Sequence, residues 1–170
     1  TDDWIPIVAS FGDIAASGGY YVAAGADAIV AERSCMTGSL GVMAAAMTFH
    51  DLLEKIGVTP EVLVASESQE KDVGNNVLRA WTDKDRKKIL EFLDHAHAQF
   101  TEVVAQGRAD KLSREEVKEL ADGRIFTANQ AKAAKLIDDI GYLDQAIDEA
   151  ATLAGIPEDV NPQVTVVQPP

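Results

Sequence analysis

The chain has 170 residues, 46% hydrophobic and 25% charged, a composition typical of one globular domain, and no apolar run approaches the roughly 18 residues of a membrane-spanning helix. Its 28 acidic against 15 basic residues give a formal net charge of −13, which would repel a phosphate backbone and excludes nucleic acid as an expected partner. The one cysteine, Cys35, excludes an internal disulfide and a multi-cysteine metal site, and we interpret it as a small buried hydrophobe.

Strands and helices alternate in the first half of the chain. The apolar run from Pro6 to Phe11 predicts a strand buried on both faces, and a short helix in GGYYVAAGAD and a second strand in AIVAE follow it. The Gly-rich TGSLGV predicts a loop that passes close to other backbone. MTFHDLLEKIG then predicts a helix that ends at Gly57, and TPEVLVAS a further strand. This alternation predicts an α/β fold with helices layered on a sheet.

The second half is mainly helical. Residues 67–80 lack apolar periodicity and predict a long loop, and long loops in compact domains are often functional. Capping boxes predict three helix starts, at Thr82 with Asp85, Ser113 with Glu116, and Thr127 with Gln130. A last helix is predicted to end at Gly155, and we interpret residues 156–170 as a tail or peripheral strand.

Ser17 is the candidate nucleophile. It stands between a buried strand and a helix and precedes Gly18 and Gly19, so its hydroxyl would lie beside the free N–H groups of a helix start. The amide of Gly18 could stabilise an oxyanion there, and the two glycines would let a substrate approach closely. The same position also suits a serine that only caps the helix, and the stretch by itself leaves both interpretations open.

A nucleophilic serine needs a base, for which the sequence offers few candidates. His95 and His97 are two residues apart on a helix and point in different directions, and His50 beside Asp51 cannot form a relay with it. Lys71 lies in the long loop between two acidic residues. A lysine base must lose its proton near neutrality, about three units below the ordinary pKa of about 10.4, which burial could achieve and exposure could not. No metal-binding motif is present, and we expect no cofactor.

Three blocks of the sequence, in order, resemble the signal peptide peptidase A family, serine-lysine proteases with a ClpP/crotonase-like fold. They are GDIAASGGYYVAAGADAIVAERSCMTGSLGV, EKDVGNNVLRAWTDKDR and ADGRIFTANQAKAAKLIDDIGYLDQAI. The resemblance runs roughly from Pro6 to Ile147. It implies that Ser17 is the nucleophile, that Lys71 is the general base, and that Ser39 holds the lysine amine in place. The chain departs from the family pattern K-D-x-G-S-P, where it reads KDVGNN.

The resemblance also implies a context for the chain. Residues 1–155 would be the C-terminal portion of a larger catalytic peptidase domain, whose upstream segment supplies more of the sheet and a second oxyanion donor. The family implies a serine endopeptidase that cleaves extended peptides, such as released signal peptides, through an acyl-enzyme. It also implies a ring of several copies at the extracytoplasmic face of a bacterial-type cell membrane, with any anchor outside this chain, which we expect to be soluble by itself.

Three other interpretations stay open. Crotonases of the same superfamily use a similar oxyanion pocket on acyl-CoA thioesters without a nucleophile. A catalytically inactive binding or scaffold module with the same fold would need neither Ser17 nor Lys71. A Ser17–His50–Asp arrangement would show a pH profile that falls near 6.5.

Overall fold

The structure is a computed structural model that describes residues 4–157, 159–160 and 162–167. Its strands are β1 (Val8–Phe11), β2 (Ile14–Ala16), β3 (Ala28–Ala31), β4 (Met36–Gly38), β5 (Ile125–Thr127) and β6 (Asp139–Ile140). Its helices are α1 (Gly18–Ala23), α2 (His50–Lys55), α3 (Asp83–Gly107), α4 (Arg114–Leu120), α5 (Ala128–Ala133) and α6 (Leu143–Leu153). The chain divides into two compact units, unit 1 with residues 1–41 and 100–170 and unit 2 with residues 42–99.

Unit 1 contains two three-stranded sheets. The first has the order β1-β3-β6 with all strands parallel, and its central strand β3 is buried along its whole length because all four of its residues are apolar. The second has the order β2-β4-β5, in which β2 and β4 are parallel and β5 is antiparallel to β4. The carboxyl ends of β2 and β4 therefore meet at one edge.

The hydrophobic core described by the structure lies in unit 1. It joins Tyr20 of α1, Ile29 of β3 and Val104 of α3, each of them fully buried. The hydroxyl of Tyr20 donates a hydrogen bond of 2.6 Å to the Leu136 carbonyl, so its one polar atom is satisfied inside the core. Cys35 is 1% exposed, which confirms its interpretation as a buried hydrophobe, and burial raises the pKa of its thiol.

Most of the helix signals are confirmed. The hydroxyls of Ser113 and Thr127 accept hydrogen bonds from the third residue of their helices, which in turn reach back to the capping residue. At α3 the Thr82 N–H donates to the Asp85 carboxylate at 2.8 Å, and the Asp85 N–H donates to the Thr82 hydroxyl at 3.2 Å. Gly155 follows α6 with a φ of 71°, the left-handed conformation in which glycine commonly ends a helix.

Some predictions about strands and loops were wrong. The strand predicted for Pro6–Phe11 spans Val8–Phe11 and is not buried on both faces, because Ser10 is exposed. Residues 59–66, TPEVLVAS, form no strand, and Leu63 within them is 97% exposed. A strand needs a neighbour to pair with, and residues 42–99, all of them described, contain no other strand. The loop predicted for TGSLGV was placed to begin at Thr37, but Thr37 and Gly38 belong to β4, so the loop begins two residues later.

Part of the predicted tail, at 158, 161 and 168–170, lies outside the described residues. The described residues from 156 onward form no strand.

A buried ion pair joins Arg108, the residue after α3, to Asp138, the residue before β6. The Arg108 side chain is fully buried, and two of its N–H groups donate to the Asp138 carboxylate at 2.8 Å each. The same carboxylate accepts from the Ile29 N–H at 2.7 Å and pairs with Lys111. Burial acts to raise the pKa of Asp138, but the bonds from Arg108, Lys111 and Ile29 outweigh it, and the pKa lies below its usual range.

Asp138→Asn should lower the free energy of unfolding at neutral pH by on the order of 3 kcal/mol, because the buried Arg108 guanidinium loses its anionic partner. The folded pKa of Asp138 lies below its ordinary value of 3.8, so its contribution is complete above that pH and is lost as the pH falls through the folded pKa. The wild-type chain should therefore lose stability more steeply than the variant below about pH 4. Urea unfolding across this range measures both effects, with the exposed Asp94→Asn as control. Equal pH slopes for the wild type and Asp138→Asn would contradict the expectation.

Candidate active site

Ser17 and Ser39 follow two neighbouring parallel strands. In the register of β2 and β4, Ala16 lies opposite Gly38, and Ser17 and Ser39 are the next residues along the chain. The Ser17 N–H donates to the Gly38 carbonyl at 2.8 Å, which carries the pairing one residue past the end of β2. Because paired strands lie about 4.8 Å apart, the backbones of the two serines are neighbours. The structure thus brings together two of the predicted site residues.

The backbone of Ser17 is held in an unusual conformation. Its φ is 52° and its ψ −115°, a region that glycine adopts freely and other residues rarely do. Ser17 occupies the capping position of α1, yet its side chain makes no capping hydrogen bond. The interpretation of Ser17 as a simple capping serine is therefore wrong, and its hydroxyl is left for another role.

Gly18, the first residue of α1, has open space at its Cα atom. Gly18 is exposed, and a Cβ atom added to it would meet nothing within 4 Å. Its N–H belongs to the first turn of the helix, where backbone donors have no acceptor within the helix. A backbone donor of this kind beside a nucleophile is the type of group that an oxyanion site uses.

Ser39 is held by a segment that lies far from it along the chain. Its φ is 51°, and its N–H donates to the Arg124 carbonyl at 2.8 Å. The preceding Gly38 has a φ of 79°, and a Cβ there would lie 2.5 Å from the Phe126 ring, so only glycine fits. The sequence pattern did not predict that Arg124 and Phe126 support the site. The one signal for them was the block ADGRIFTANQ, which contains both residues.

Buried contacts fix the two elements that carry the serines. The Thr37 hydroxyl, fully buried, donates to the Ala15 carbonyl at 2.6 Å and ties β4 to β2 just before the site. Tyr20 anchors the short helix α1 through its bond to Leu136, and its ring packs edge-on against Phe11 at 6.2 Å. A helix of six residues has little stability by itself, so these side-chain contacts set its position.

Lys71 lies in unit 2, within the long loop predicted from the sequence. Residues 66–80 contain no helix or strand, and Lys71 is exposed. Together with Asp72 and residues 62–64 and 75–78, it lines a cavity of about 360 Å³. Glu70 and Asp72, on either side of Lys71, are both engaged by other cations, Glu70 by Lys84 and Lys88, and Asp72 by Arg79.

The other candidate bases lie in unit 2. All three histidines fall within residues 42–99, with His50 as the first residue of α2 and His95 and His97 on α3. Within the described ranges, no group of three or more histidine, cysteine or acidic side chains could hold a metal ion.

Comparison with known proteins gives the family. The sequence profile of peptidase family S49 matches residues 1–157. The chain belongs to this family. The sheets and helices of the structure confirm the expected α/β fold class.

Several curated relatives carry protease names. A chloroplastic serine protease SPPA of Arabidopsis thaliana is 36% identical over 96% of this chain and 23% of its own length. Protease 4 of Haemophilus influenzae is 30% identical over 91% of this chain and 24% of its own length. An Enterococcus faecium protein provisionally named signal peptide peptidase SppA is 42% identical over 85% of this chain and 40% of its own length. The chain thus spans less than half the length of these relatives.

A more distant structural likeness is to an enoyl-CoA hydratase/carnithine racemase from Magnetospirillum magneticum. It covers 88% of this chain and 37% of that protein, with a TM-score of 0.39 and 17% identity. As for membrane segments, none of the helices in the described residues combines the length and apolar character that a bilayer crossing needs.

The strained backbone at Ser17 gives a prediction that does not depend on activity. Ser17→Gly should be more stable than Ser17→Ala by about 1 kcal/mol, because alanine keeps a strain of about 1–3 kcal/mol that glycine relieves at an entropic cost of about 0.5–1 kcal/mol. Urea unfolding of both variants measures the difference. At Ser10, within strand β1, the same pair of substitutions should give the opposite order. A glycine variant at Ser17 no more stable than the alanine variant would rule out the strain.

Proposed function

We propose that the chain is part of a serine endopeptidase that cleaves extended peptides through an acyl-enzyme, with Ser17 as nucleophile and Lys71 as general base. The observation that carries the proposal is the placement of Ser17, whose hydroxyl makes no capping bond and which stands at a strand-to-helix junction directly before Gly18, the first residue of α1. Membership of peptidase family S49 and the protease names of the relatives support it.

The proposed reaction needs four groups of this chain. The neutral amine of Lys71 takes the Ser17 proton as the serine oxygen attacks the peptide carbonyl, and the Gly18 N–H stabilises the charge on the carbonyl oxygen. The tetrahedral intermediate then loses the amine half of the peptide, which receives its proton from the Lys71 ammonium. Water hydrolyses the remaining ester with the same amine as base. The hydroxyl of Ser39 holds the Lys71 amine in place.

A lysine acts as a base near neutral pH only where it is shielded from water. Since Lys71 is exposed in the single chain, the proposal assigns that shielding to further copies of the chain and to the bound peptide. Large apolar side chains exposed in unit 2, among them Met43, Met47 and Leu63, support such an assembly. Sedimentation of the full chain is therefore expected to give a mass of several copies, and a fully active monomer would contradict the assembly.

The substrates and the location follow from the family resemblance. We assign to the whole protein the extracytoplasmic face of a bacterial-type membrane and, as substrates, peptides with small and apolar residues such as released signal peptides. The protease name of the Enterococcus faecium relative is in keeping with this class. Cell fractionation that finds the whole protein in the cytosol would contradict the location.

Replacing either member of the proposed dyad should abolish activity without unfolding the chain. Ser17→Ala is expected to reduce cleavage of an unstructured fluorogenic peptide at least about a thousandfold and to prevent labelling by a fluorophosphonate. Lys71→Arg should be nearly as damaging, because a guanidinium is not neutral near pH 7. Turnover and labelling rates measure the loss, and thermal unfolding checks the fold.

Matched substitutions away from the site serve as controls for this experiment. Ser10→Ala and Lys55→Arg make the same chemical changes in β1 and α2 and should leave turnover unchanged. Wild-type turnover by Ser17→Ala or by Lys71→Arg would refute the dyad. Binding of an acyl-CoA, with no labelling by the phosphonate, would favour a crotonase-like enzyme instead.

A further inference from the structure

Arg79 links the loop that carries Lys71 to the first turn of helix α3. The Nε of Arg79 donates to the carboxylate of Asp72, the residue after Lys71, at 2.7 Å. The other two nitrogens of the same guanidinium donate to the two oxygens of Asp85, at 2.6 and 3.1 Å. A planar guanidinium can hold two carboxylates at once in this way, which the single nitrogen of a lysine cannot do with the same geometry.

Asp85 is a fixed point for this link. Its side chain is only 7% exposed and lies in the first turn of α3, where it also accepts from the N–H and the hydroxyl of Thr82, both at 2.8 Å. The bonds from Arg79, and then those from Thr82, hold the pKa of Asp85 well below its usual range. Asp85 therefore stays charged, and Arg79 connects the loop to a residue that the helix start already fixes.

The same loop packs on α3 at a second place. Gly74 has a φ of 76°, and a Cβ there would lie 3.3 Å from the Ile89 side chain. Asn76 donates to the Asp72 carboxylate at 3.4 Å, and its own side-chain oxygen accepts from the Leu78 N–H at 3.0 Å. Asn76 thus stabilises the turn in the part of KDVGNN that departs from the family pattern.

The charges around Lys71 are paired with one another. On the loop, Glu70 pairs with Lys84 and Lys88 of α3, which lower the pKa of the Glu70 carboxyl. Asp72 pairs with Arg79, whose hydrogen bond lowers the pKa of the Asp72 carboxyl. A free carboxylate beside an amine stabilises the protonated amine, whereas a carboxylate already neutralised by an arginine does so much less.

From these contacts we propose that Arg79 is a positioning residue for Lys71, which fixes the lysine loop to α3 and pairs with the carboxylate of Asp72, the next residue along the chain. The inference rests on the proposed function, since it concerns the base of that reaction. The ionisable groups that pair around this loop are Glu70, Asp72 and Arg79 of the loop itself, and Lys84, Asp85 and Lys88 of α3. Among them Asp72 is next to Lys71 in the chain and has Arg79 as its cationic partner.

The test is the pH profile of kcat/KM for peptide cleavage by the full chain. Arg79→Met should lower kcat/KM at pH 7 about tenfold and move the acid limb of the profile to higher pH by about one unit, because the freed Asp72 carboxylate favours the protonated amine. The double variant with Asp72→Asn should bring the limb back to its wild-type position. Asp72→Asn alone should leave the limb unmoved, since its carboxylate is already paired.

Two further variants keep the test decisive. Lys87→Met removes a positive charge from the exposed face of α3 and should change neither the rate nor the limb. If Arg79→Met does not fold, Arg79→Lys replaces it, since this variant keeps the charge but not the double link, and the limb should move in the same direction. The pH dependence of Ser17 labelling by a fluorophosphonate gives a second measure of the limb that does not depend on peptide binding.

The outcomes separate this inference from the function on which it rests. The role of Arg79 would be overturned if the acid limb stayed in place in both Arg79 variants, or if the double variant failed to restore it. In either case an inactive Lys71→Arg variant would still support the dyad. An active Lys71→Arg would overturn the proposed function and this inference with it. A shifted limb, restored in the double variant, would establish Arg79 as the residue that sets the charge environment of the base.

Discussion

The pairing of β2 with β4 is the constraint on which the candidate site depends. It is parallel, so both strands deliver their next residue to the same edge, and the bond from the Ser17 N–H to the Gly38 carbonyl extends it by one residue. Thr37 reinforces the pair from within through its buried bond to Ala15. An antiparallel pair would have sent the two chain segments to opposite ends of the sheet. Parallel pairing is therefore what makes Ser17 and Ser39 neighbours.

The strained backbone of Ser17 is tolerated because contacts on both sides of it hold the chain in place. Residues outside the favoured backbone regions cost on the order of 1–3 kcal/mol and persist only where nearby contacts hold them. Here the strand before Ser17 is paired, and the helix after it is anchored in the core by Tyr20. Further from the site, the buried ion pair joins Arg108, the residue after α3, to Asp138, the residue before β6. Contacts in the core thus hold the strained backbone of Ser17, which is partly buried at the end of β2.

The sequence predicted features that depend on residues close together in the chain better than features that depend on distant residues. The capping boxes at Ser113 and Thr127 and the buried strand β3 are confirmed, because each is decided by residues a few positions apart. TPEVLVAS has the composition of a strand, but composition does not supply the neighbour that a strand needs. For the same reason the bond between Ser39 and Arg124 could not be read from the sequence, since it joins segments far apart along the chain.

The contacts of the lysine loop bear on the role of base that we propose for Lys71. The formal charge is −13, and acidic residues stand on both sides of Lys71, which is the wrong environment for a neutral amine if they are free. In unit 2 each of these carboxylates has a cationic partner, drawn from α3 or from Arg79. This pairing weakens the electrostatic effect of the two carboxylates on the Lys71 amine. It also ties the loop to α3. Removal of water from the amine is a separate requirement, which these pairs do not meet because Lys71 stays exposed in the single chain. For Lys71 to act as a base, two conditions must therefore be met. The neighbouring carboxylates must be paired, which the contacts of the loop supply, and water must be excluded from the amine, which requires a group that covers the loop.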